Sequence, residues 1–283
     1  MSKVSVIIPT RNRPASLQSA LQSVLIQPLV VLEIVVIDDA SKQQYIAEII
    51  QVASQDDRIR LVRNEKNIGV SACRNQGIAM AKNDYLLFLD DDDELLPGML
   101  VQSLEAIRGR DVVSCRSEVI AAHLSTSKTL RYNRQQTAAL DLYPMGVQPA
   151  EHIFLYTPQI HTFLVRRSAI GDVRFSEELR YGEDMIFWLQ LAANGLRFEK
   201  LEFVGSRYHL HLSSASQQET NQSKMAFYQQ LPNYVQPSAE VNNLLWIKMA
   251  YLSLRQGYIR CAVYLLKALS RPKLFFRHLR YYF

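Results

Sequence analysis

Four consecutive aspartates, Asp90 to Asp93, with Glu94 directly behind them, follow the apolar run Tyr85–Leu89. Carboxylates at contact distance repel one another, so they must take up protons or meet a positive charge. Such a run is either a solvated surface or a cation site. Its place directly after a buried-type strand, with no lysine or arginine within six residues on either side, favours the cation. A hard divalent ion, Mg²⁺ or Mn²⁺, suits carboxylate oxygens and shares its shell with substrate phosphates. It would relieve the repulsion and bind a diphosphate at once. In extended chain, Asp90 and Asp92 point the same way, and Asp93 falls where the chain turns. The expected division is one carboxylate for a polar part of the substrate and one or two for the metal.

The elements that must position these groups are readable from periodicity. "VSVIIP" (4–9), "EIVVID" (33–38), "IRLVRN" (59–64), "YLLFLD" (85–90) and "DVVSC" (111–115) read as strands. Between them, Leu17, Leu21, Val24 and Leu25 recur at helical spacing, and residues 44–53, Val70 to Ala81 and Pro97 to about Ile107 read as helices. Asn83 is the expected left-handed cap of the third helix. Strands alternating with helices imply parallel βαβ units, and continuous apolar strands fit a sheet covered on both faces. Ligands of such sheets sit beyond the carboxyl ends of the strands. Asp38-Asp39 and Asp90–Asp93 both lie there, so two acidic clusters can face one crevice.

The 283 residues suffice for one large α/β domain with an appendage, and 48% apolar residues give it a core. Cys73, Cys115 and Cys261 form no CxxC and cannot all pair, which fits a reducing cytosol. The start has no signal-peptide layout, and residues 14–32, though uncharged, are interrupted by Ser and Gln. The net charge of +5 is unevenly placed. The eight basic side chains after Glu240 leave 24 for residues 1–240, against all 27 acidic ones. The basic character belongs to the tail. With the rest slightly acidic and no recognition motif, nucleic acid is not an expected partner.

The blocks "VSVIIPTRNRP", "VVIDDAS", "NIGVSACRNQGIAMAKNDYLLFLDDDDEL" and "GEDMIFWLQL" resemble, in order and spacing, the signature blocks of family 2 glycosyltransferases over roughly residues 3–216. The resemblance implies the GT-A fold, a Rossmann-like α/β architecture with a mostly parallel, mixed central sheet. It implies transfer of a sugar from a nucleotide-sugar, with UDP favoured by family habit, to an acceptor hydroxyl with inversion at the anomeric carbon. By the same resemblance, Pro9, Thr10 and Arg11 contact the nucleotide, Asp39 hydrogen-bonds the base edge and Arg74 lines the pocket. Asp90 sits near the ribose. Asp92, helped by Asp93, is the metal-side acid for Mn²⁺ or Mg²⁺, and Asp91 belongs to the donor set with its side chain turned from the metal. Cys73, where alanine is usual, reads as packing.

Two chemical needs follow. A leaving nucleoside diphosphate develops charge that a metal stabilises, and a hydroxyl nucleophile needs a carboxylate within hydrogen-bond reach. Glu183 and Asp184 open an apolar-periodic helix, a place acids also take to favour the macrodipole. Asp184 is the expected base and Glu183 its orienting partner or substitute. In "YHLHLSSAS" (208–216), His211 takes the family's histidine place, as a metal ligand, a diphosphate contact or a structural residue, and His209 stands where arginine is usual. His161 is read as facing the acceptor or as structural. His123, Arg131, Tyr132 and Arg134 are acceptor-side candidates without a mechanism in their spacing.

The expected organisation is a catalytic domain over 1–216 with its acceptor side at about 116–216, a linker over 217–237 and a helical tail over 238–283. Ser238 is the tail's expected N-cap, and Gly257 punctuates two apolar stripes. "RPKLFFRHLRYYF" mixes cations with aromatics, the composition of a segment lying on an anionic bilayer. The corresponding expectation is a cytoplasmic enzyme, peripheral on the cytoplasmic membrane face, with a glycan or lipid-linked acceptor from bacterial surface polysaccharide synthesis. A non-catalytic nucleotide-sugar-binding subunit is one alternative. A phosphohydrolase is another, though Glu94 breaks its DxDx[TV] pattern.

Overall fold

The structure is a computed structural model that describes residues 3–27, 33–121, 149–156, 159–210, 220–255 and 261–279. His211, Ser214, Ser216, His123, Arg131, Tyr132, Arg134 and Gly257 lie outside the described residues.

Eight strands form one sheet: β1 Val4–Thr10, β2 Glu33–Asp38, β3 Ile59–Arg63, β4 Tyr85–Phe88, β5 Glu94–Leu95, β6 Val112–Ile120, β7 Phe163–Arg166 and β8 Phe198–His209. Their order is β3-β2-β1-β4-β7-β6-β8-β5. The first four in that order run parallel. β7 is antiparallel to both β4 and β6, β8 is parallel to β6, and β5 is antiparallel to β8. The sheet is therefore mixed, with its βαβ half on the side that carries Asp38 and Asp39.

Helices cover both faces. On one, α1 Pro14–Leu25, α2 Gln43–Ala53 and α4 Met99–Ala106 bury Leu17, Leu21, Val24, Ile49, Leu100 and Leu104 in a single core, with α4 over β6 and β8. On the other lie α3 Val70–Met80 and α7 Glu183–Ala193, with α5 Pro149–Tyr156 packed on α7 and a short turn of helix, α6 Arg167–Ile170, after β7. An aromatic cluster fixes α7: Phe187 stacks on Phe175 at 4.0 Å, and Trp188 on Phe163 at 4.1 Å. Each such buried ring contributes about 1.5–3 kcal/mol by removal of apolar surface from water.

Asn83 is not left-handed. α3 ends on extended Ala81 (φ −64°, ψ 135°), and Asn83 spends its amide on the Val4 carbonyl at 3.1 Å, tying the loop to β1. Residues Asn221–Tyr234, within the stretch read as a linker, form α8, opened by a Thr220–Ser223 capping box. Phe227, Tyr228 and Leu231 of α8 join the core of α7, together with Val241, Leu244, Leu245 and Met249 of α9 Ala239–Arg255. The Ser238 hydroxyl accepts from Val241 N at 3.2 Å, as an N-cap does. α10 Cys261–Leu269 and α11 Pro272–Leu279 then pack on α9 through Ile247, Ala268 and Phe275.

α3 lies close enough to β1 that a Cβ on Gly77 would stand 2.3 Å from Ile7 Cγ2. Gly77→Ala is expected to push α3 off the sheet and lower stability by about 1–3 kcal/mol, the usual cost of overpacking. A urea titration reads this as an earlier midpoint; an unchanged midpoint would show that α3 can slide freely.

Candidate functional site

The site lies beyond the carboxyl ends of β1, β2 and β4, and its floor begins with Pro9. Pairing of β1 with β4 stops at Ile7↔Phe88, so Pro9 lies past the last β1–β4 pair, where its missing N–H costs no ladder bond. Two loops leave here side by side and are stapled together. Asn12 N donates to Ser41 Oγ at 2.7 Å, and Lys42 N donates to Asn12 Oδ1 at 2.7 Å. Asn12 and Ala40 sit at φ 59° and 57°; for Ala40 this is a strained conformation held by its neighbours.

The paired acids after β2 divide their work. Asp38 is fully buried, accepting from Ser41 N at 3.0 Å and Arg63 Nε at 2.8 Å. Asp39 accepts from Asn67 Nδ2, Ile68 N and Gly69 N at 2.7–2.9 Å, so it organises the turn that opens α3. Oδ2 takes two of these donors and Oδ1 one, so Oδ1 keeps a second lone pair for a further donor such as a base edge. Arg11 is exposed at the end of β1.

The acid run is not extended. β4 ends at Phe88, and Asp93 N donates to Asp90 O at 3.1 Å, closing a turn over 90–93 before β5. The alternation expected of Asp90 and Asp92 therefore fails; aspartate is itself a turn former, and a turn spreads like charges that a strand would align. Asp90 pairs with Arg74 Nη2 at 2.7 Å. Asp91, 2% exposed, accepts from Thr10 Oγ1 at 2.7 Å and lies 3.2 Å from Arg13 Nη1. Asp92 pairs with the same Arg13. Asp91 and Asp92 thus converge on the Arg13 guanidinium. Asp93, also 2% exposed, contacts His161 Nδ1 at 2.8 Å and accepts from His209 N at 2.9 Å. Glu94 lies 3.6 Å from both Arg207 and the His209 ring.

Arg74 joins the two acidic constellations. Its side chain is buried, and while Nη2 holds Asp90, Nη1 donates to Glu183 Oε1 at 3.0 Å across 109 residues of sequence. α7 starts on Gly182, left-handed at φ 75°, whose missing Cβ leaves space for the Phe227 ring. This start brings Glu183 and Asp184 to the crevice. Thr10, Arg74, Asp90, Asp91, Asp92, Glu183 and Asp184 are thereby assembled in one chain of contacts and neighbours. Arg13 is the addition, since its partners come from tertiary contact; His161, read as facing the acceptor or as structural, is fully buried against Asp93.

Burial governs the charge states. It pushes Asp91 up to about 7 against the pull of Arg13 and Thr10. Burial likewise raises Asp92, against Arg13 and with help from Asp90 and Asp93. Asp90 is also buried, yet Arg74 holds it below the usual carboxylate range. Desolvation, then the Glu183 charge, pushes Asp184 up to about 7. Burial opposes protonation of His161, but Asp93 outweighs it and raises the imidazole. Cys73, packed against Val35 and Ile37, has its thiol pushed up to about 12 by burial, an inert packing residue.

Among the described residues no three His, Cys, Asp or Glu side chains form a ready metal cage. The donor set nevertheless fits a hard divalent ion. Asp92 offers oxygen from a half-buried carboxylate whose charge is under-compensated, and Mg²⁺-type sites use one or two carboxylates plus substrate phosphates.

A raised carboxylate pKa stabilises the fold only while the proton is bound. The contribution of Asp184 and Asp91 is full at pH 4 and lost as pH rises through about 7. Asp184→Asn removes that loss, so its Tm at pH 8 should exceed wild type by about 2–4 °C, the equivalent of roughly 1 kcal/mol. Calorimetry at pH 5 and 8 checks this; equal pH slopes in the two proteins would refute it.

Comparison with known proteins follows the same line. The family profile described as "Glycosyl transferase family 2" matches residues 5–170. ExoO, a succinoglycan biosynthesis protein of Rhizobium meliloti, is 29% identical over 75% of this chain and 62% of its own length. The Escherichia coli glycosyltransferase YibD is 25% identical over 81% of this chain and 67% of that protein. The GalNAc(5)-diNAcBac-PP-undecaprenol beta-1,3-glucosyltransferase of Campylobacter jejuni is 40% identical over 35% of this chain and 33% of that enzyme. The chain therefore spans about two thirds or less of these relatives. Among solved structures, S. aureus TarS with UDP-GlcNAc superposes at a TM-score of 0.64 and 17% identity, covering 97% of this chain and 78% of TarS. PcManGT of Pyrobaculum calidifontis, a mannosyltransferase with GDP-Man and Mn²⁺, does so at 0.61 and 14%, covering 94% and 79%. The fold is GT-A, with helices appended at the C-terminal end.

Proposed function

The chain belongs to glycosyltransferase family 2 and is a glycosyltransferase, and from that premise we propose an inverting, divalent-metal-dependent reaction. The donor is a nucleotide-sugar, a UDP-sugar, and the acceptor a hydroxyl of a glycan or lipid-linked glycan in bacterial surface polysaccharide synthesis. The observation that carries the reading is the double grip of Arg74 on Asp90 and Glu183, which sets the acid turn and the α7 acids on one crevice. UDP is favoured by the nucleotide bound in TarS, and a lipid-linked acceptor by the undecaprenol in the name of the Campylobacter relative.

Thr10, Arg11 and Asp39 cradle the nucleotide at the ends of β1 and β2. Mn²⁺ or Mg²⁺ held by Asp92 would offset the charge of the leaving diphosphate. Asp184 takes the acceptor proton as the acceptor oxygen bonds to the anomeric carbon and the bond from that carbon to the diphosphate breaks. Glu183, fixed by Arg74, keeps Asp184 oriented and its proton affinity high enough for base work near pH 7.

A base that must be deprotonated predicts kcat/KM that falls about tenfold per pH unit below about pH 7. UDP-sugars with Mn²⁺ should protect the protein against thermal unfolding. Asp184→Asn should keep that protection and lose about 10²- to 10⁴-fold in turnover. Wild-type turnover in the variant would remove Asp184 as base, and a wild type that binds UDP but never turns over would make the chain a binding subunit.

The same proposal puts the C-terminal tail on an anionic bilayer. Leu254, Leu266 and Phe276 are 67%, 69% and 66% exposed, beside Arg255, Lys267, Arg271 and Lys273 and no acid after Glu240. No helix among the described residues is long and apolar enough to cross a membrane, so contact would be peripheral. Leu266→Glu with Phe276→Glu should abolish sedimentation with anionic liposomes and leave hydrolysis of a soluble donor intact. Sedimentation that persists would place the contact elsewhere.

A further inference from the structure

The carboxylates of the acid turn differ in how firmly their counter-charges are held. Asp90 is paired with Arg74, which is 3% exposed and bonded at the same time to Glu183. Asp93 is paired with His161, fully buried, and anchored by the His209 backbone. Withdrawing either cation would strand a charge in the interior, at a cost of several kcal/mol. Arg13 is of another kind. Its side chain is 51% exposed, it stands just before α1, and among the described residues it alone spans Asp91 and Asp92. It can leave into solvent, and Asp91 would still keep the Thr10 hydroxyl at 2.7 Å.

We infer that Arg13 is the exchangeable counter-ion of the acid turn. In the donor-free enzyme its guanidinium holds the Asp92 carboxylate that a divalent ion takes when the donor arrives, and the incoming diphosphate becomes the released guanidinium's partner. The inference rests on the donor and metal reading above. A guanidinium and a divalent ion cannot share one carboxylate edge without strong repulsion, so binding of one excludes the other. Diphosphate oxygens accept the planar guanidinium fork bidentately, as carboxylates do, which makes the exchange close to balanced. Linkage follows: nucleotide strengthens metal binding by drawing Arg13 away, and metal strengthens nucleotide binding by the same factor. The donor-free protein thereby avoids both an uncompensated acid cluster and a site that traps metal on its own.

The test is Mn²⁺ binding to the full chain, read as loss of the free-ion signal in electron paramagnetic resonance, with and without UDP. Wild type is compared with Arg13→Gln, Arg13→Lys and Lys42→Gln. Lys42 is exposed on the stapled neighbouring loop and controls for diffuse charge. Without UDP, Arg13→Gln should bind Mn²⁺ about tenfold tighter than wild type, within the usual range of coupling between sites. Arg13→Lys should fall between the two, Lys42→Gln should match wild type, and saturating UDP should shrink the gap between Arg13→Gln and wild type. An Arg13→Gln affinity equal to or weaker than wild type overturns the inference, as does an equal gain in Lys42→Gln. If wild type with UDP binds Mn²⁺ while Arg13→Gln shows no gain, only the exchange falls. If wild type binds no Mn²⁺ even with UDP, the metal reading falls with it.

Discussion

Four adjacent carboxylates in a half-buried turn are tolerable only if each finds its own partner, and the fold is arranged around that requirement. Arg74 comes from α3, Thr10 and Arg13 from the end of β1, His161 from the short helical turn before β7, and a backbone N–H from the end of β8. Four separate parts of the chain are thus drawn to residues 90–93. Aligned in a strand, alternate aspartates would have shared a face and a partner; the turn closed by Asp93 N and Asp90 O separates them. Electrostatics here selects backbone conformation, because repulsion at a few ångströms in a half-buried site outweighs the modest preference for continuing β4.

That requirement also explains why the loops around it are so fixed. The Asn12–Ser41–Lys42 staple and the three donors on Asp39 use side chains where loops usually rely on water. Strain at Ala40 is sustained because Asp38, on the residue pair before it, is locked by Arg63 and Ser41. A nucleotide arriving at such loops meets groups already in position, so little ordering entropy is lost on binding. The aromatic stack of Phe175, Phe187, Trp188 and Phe163 does the same for α7 from beneath, with the Arg74 guanidinium 5.4 Å from the Phe175 ring.

The sequence is legible where hydrophobic period decides the outcome. β2 occupies Glu33–Asp38 as read, and α2 and α3 depart by a residue from their readings, because uninterrupted apolar runs between turn residues leave few alternatives. The direction of β7 is invisible to such reasoning: Phe163–Arg166 is apolar whether it pairs parallel or antiparallel. β8 escapes because Phe198–His209 is half-buried and mixes Lys200, Glu202 and Arg207 with apolar residues. α5 and α8 escape because their apolar faces meet other helices, not the sheet. At the site, Thr10, Arg74, Asp90 and Glu183 carry motifs, and the fold brings them into one set of contacts. The turn over 90–93 was missed because an Asp-x-Asp spacing looks the same in a strand and in a turn. Arg13 and His161 gain meaning only from what the fold sets beside them.

The arrangement also accounts for the unequal fate of the two acidic centres. Arg74 lowers Asp90, the nearer acid, and cannot fully compensate Asp184, which keeps the burial penalty and the Glu183 charge. Had Arg74 bonded Asp184 directly, the Asp184 pKa would have dropped, and the carboxylate proposed as base would have been a weak one. By holding Glu183 instead, the guanidinium fixes the geometry of the pair while leaving the neighbouring carboxylate proton-hungry. One buried cation, placed one residue away from the proposed base, therefore meets two opposed needs of that proposal: enough positive charge for the acid turn and α7 to share a crevice, and little enough at Asp184 to leave its carboxylate proton-hungry near neutral pH.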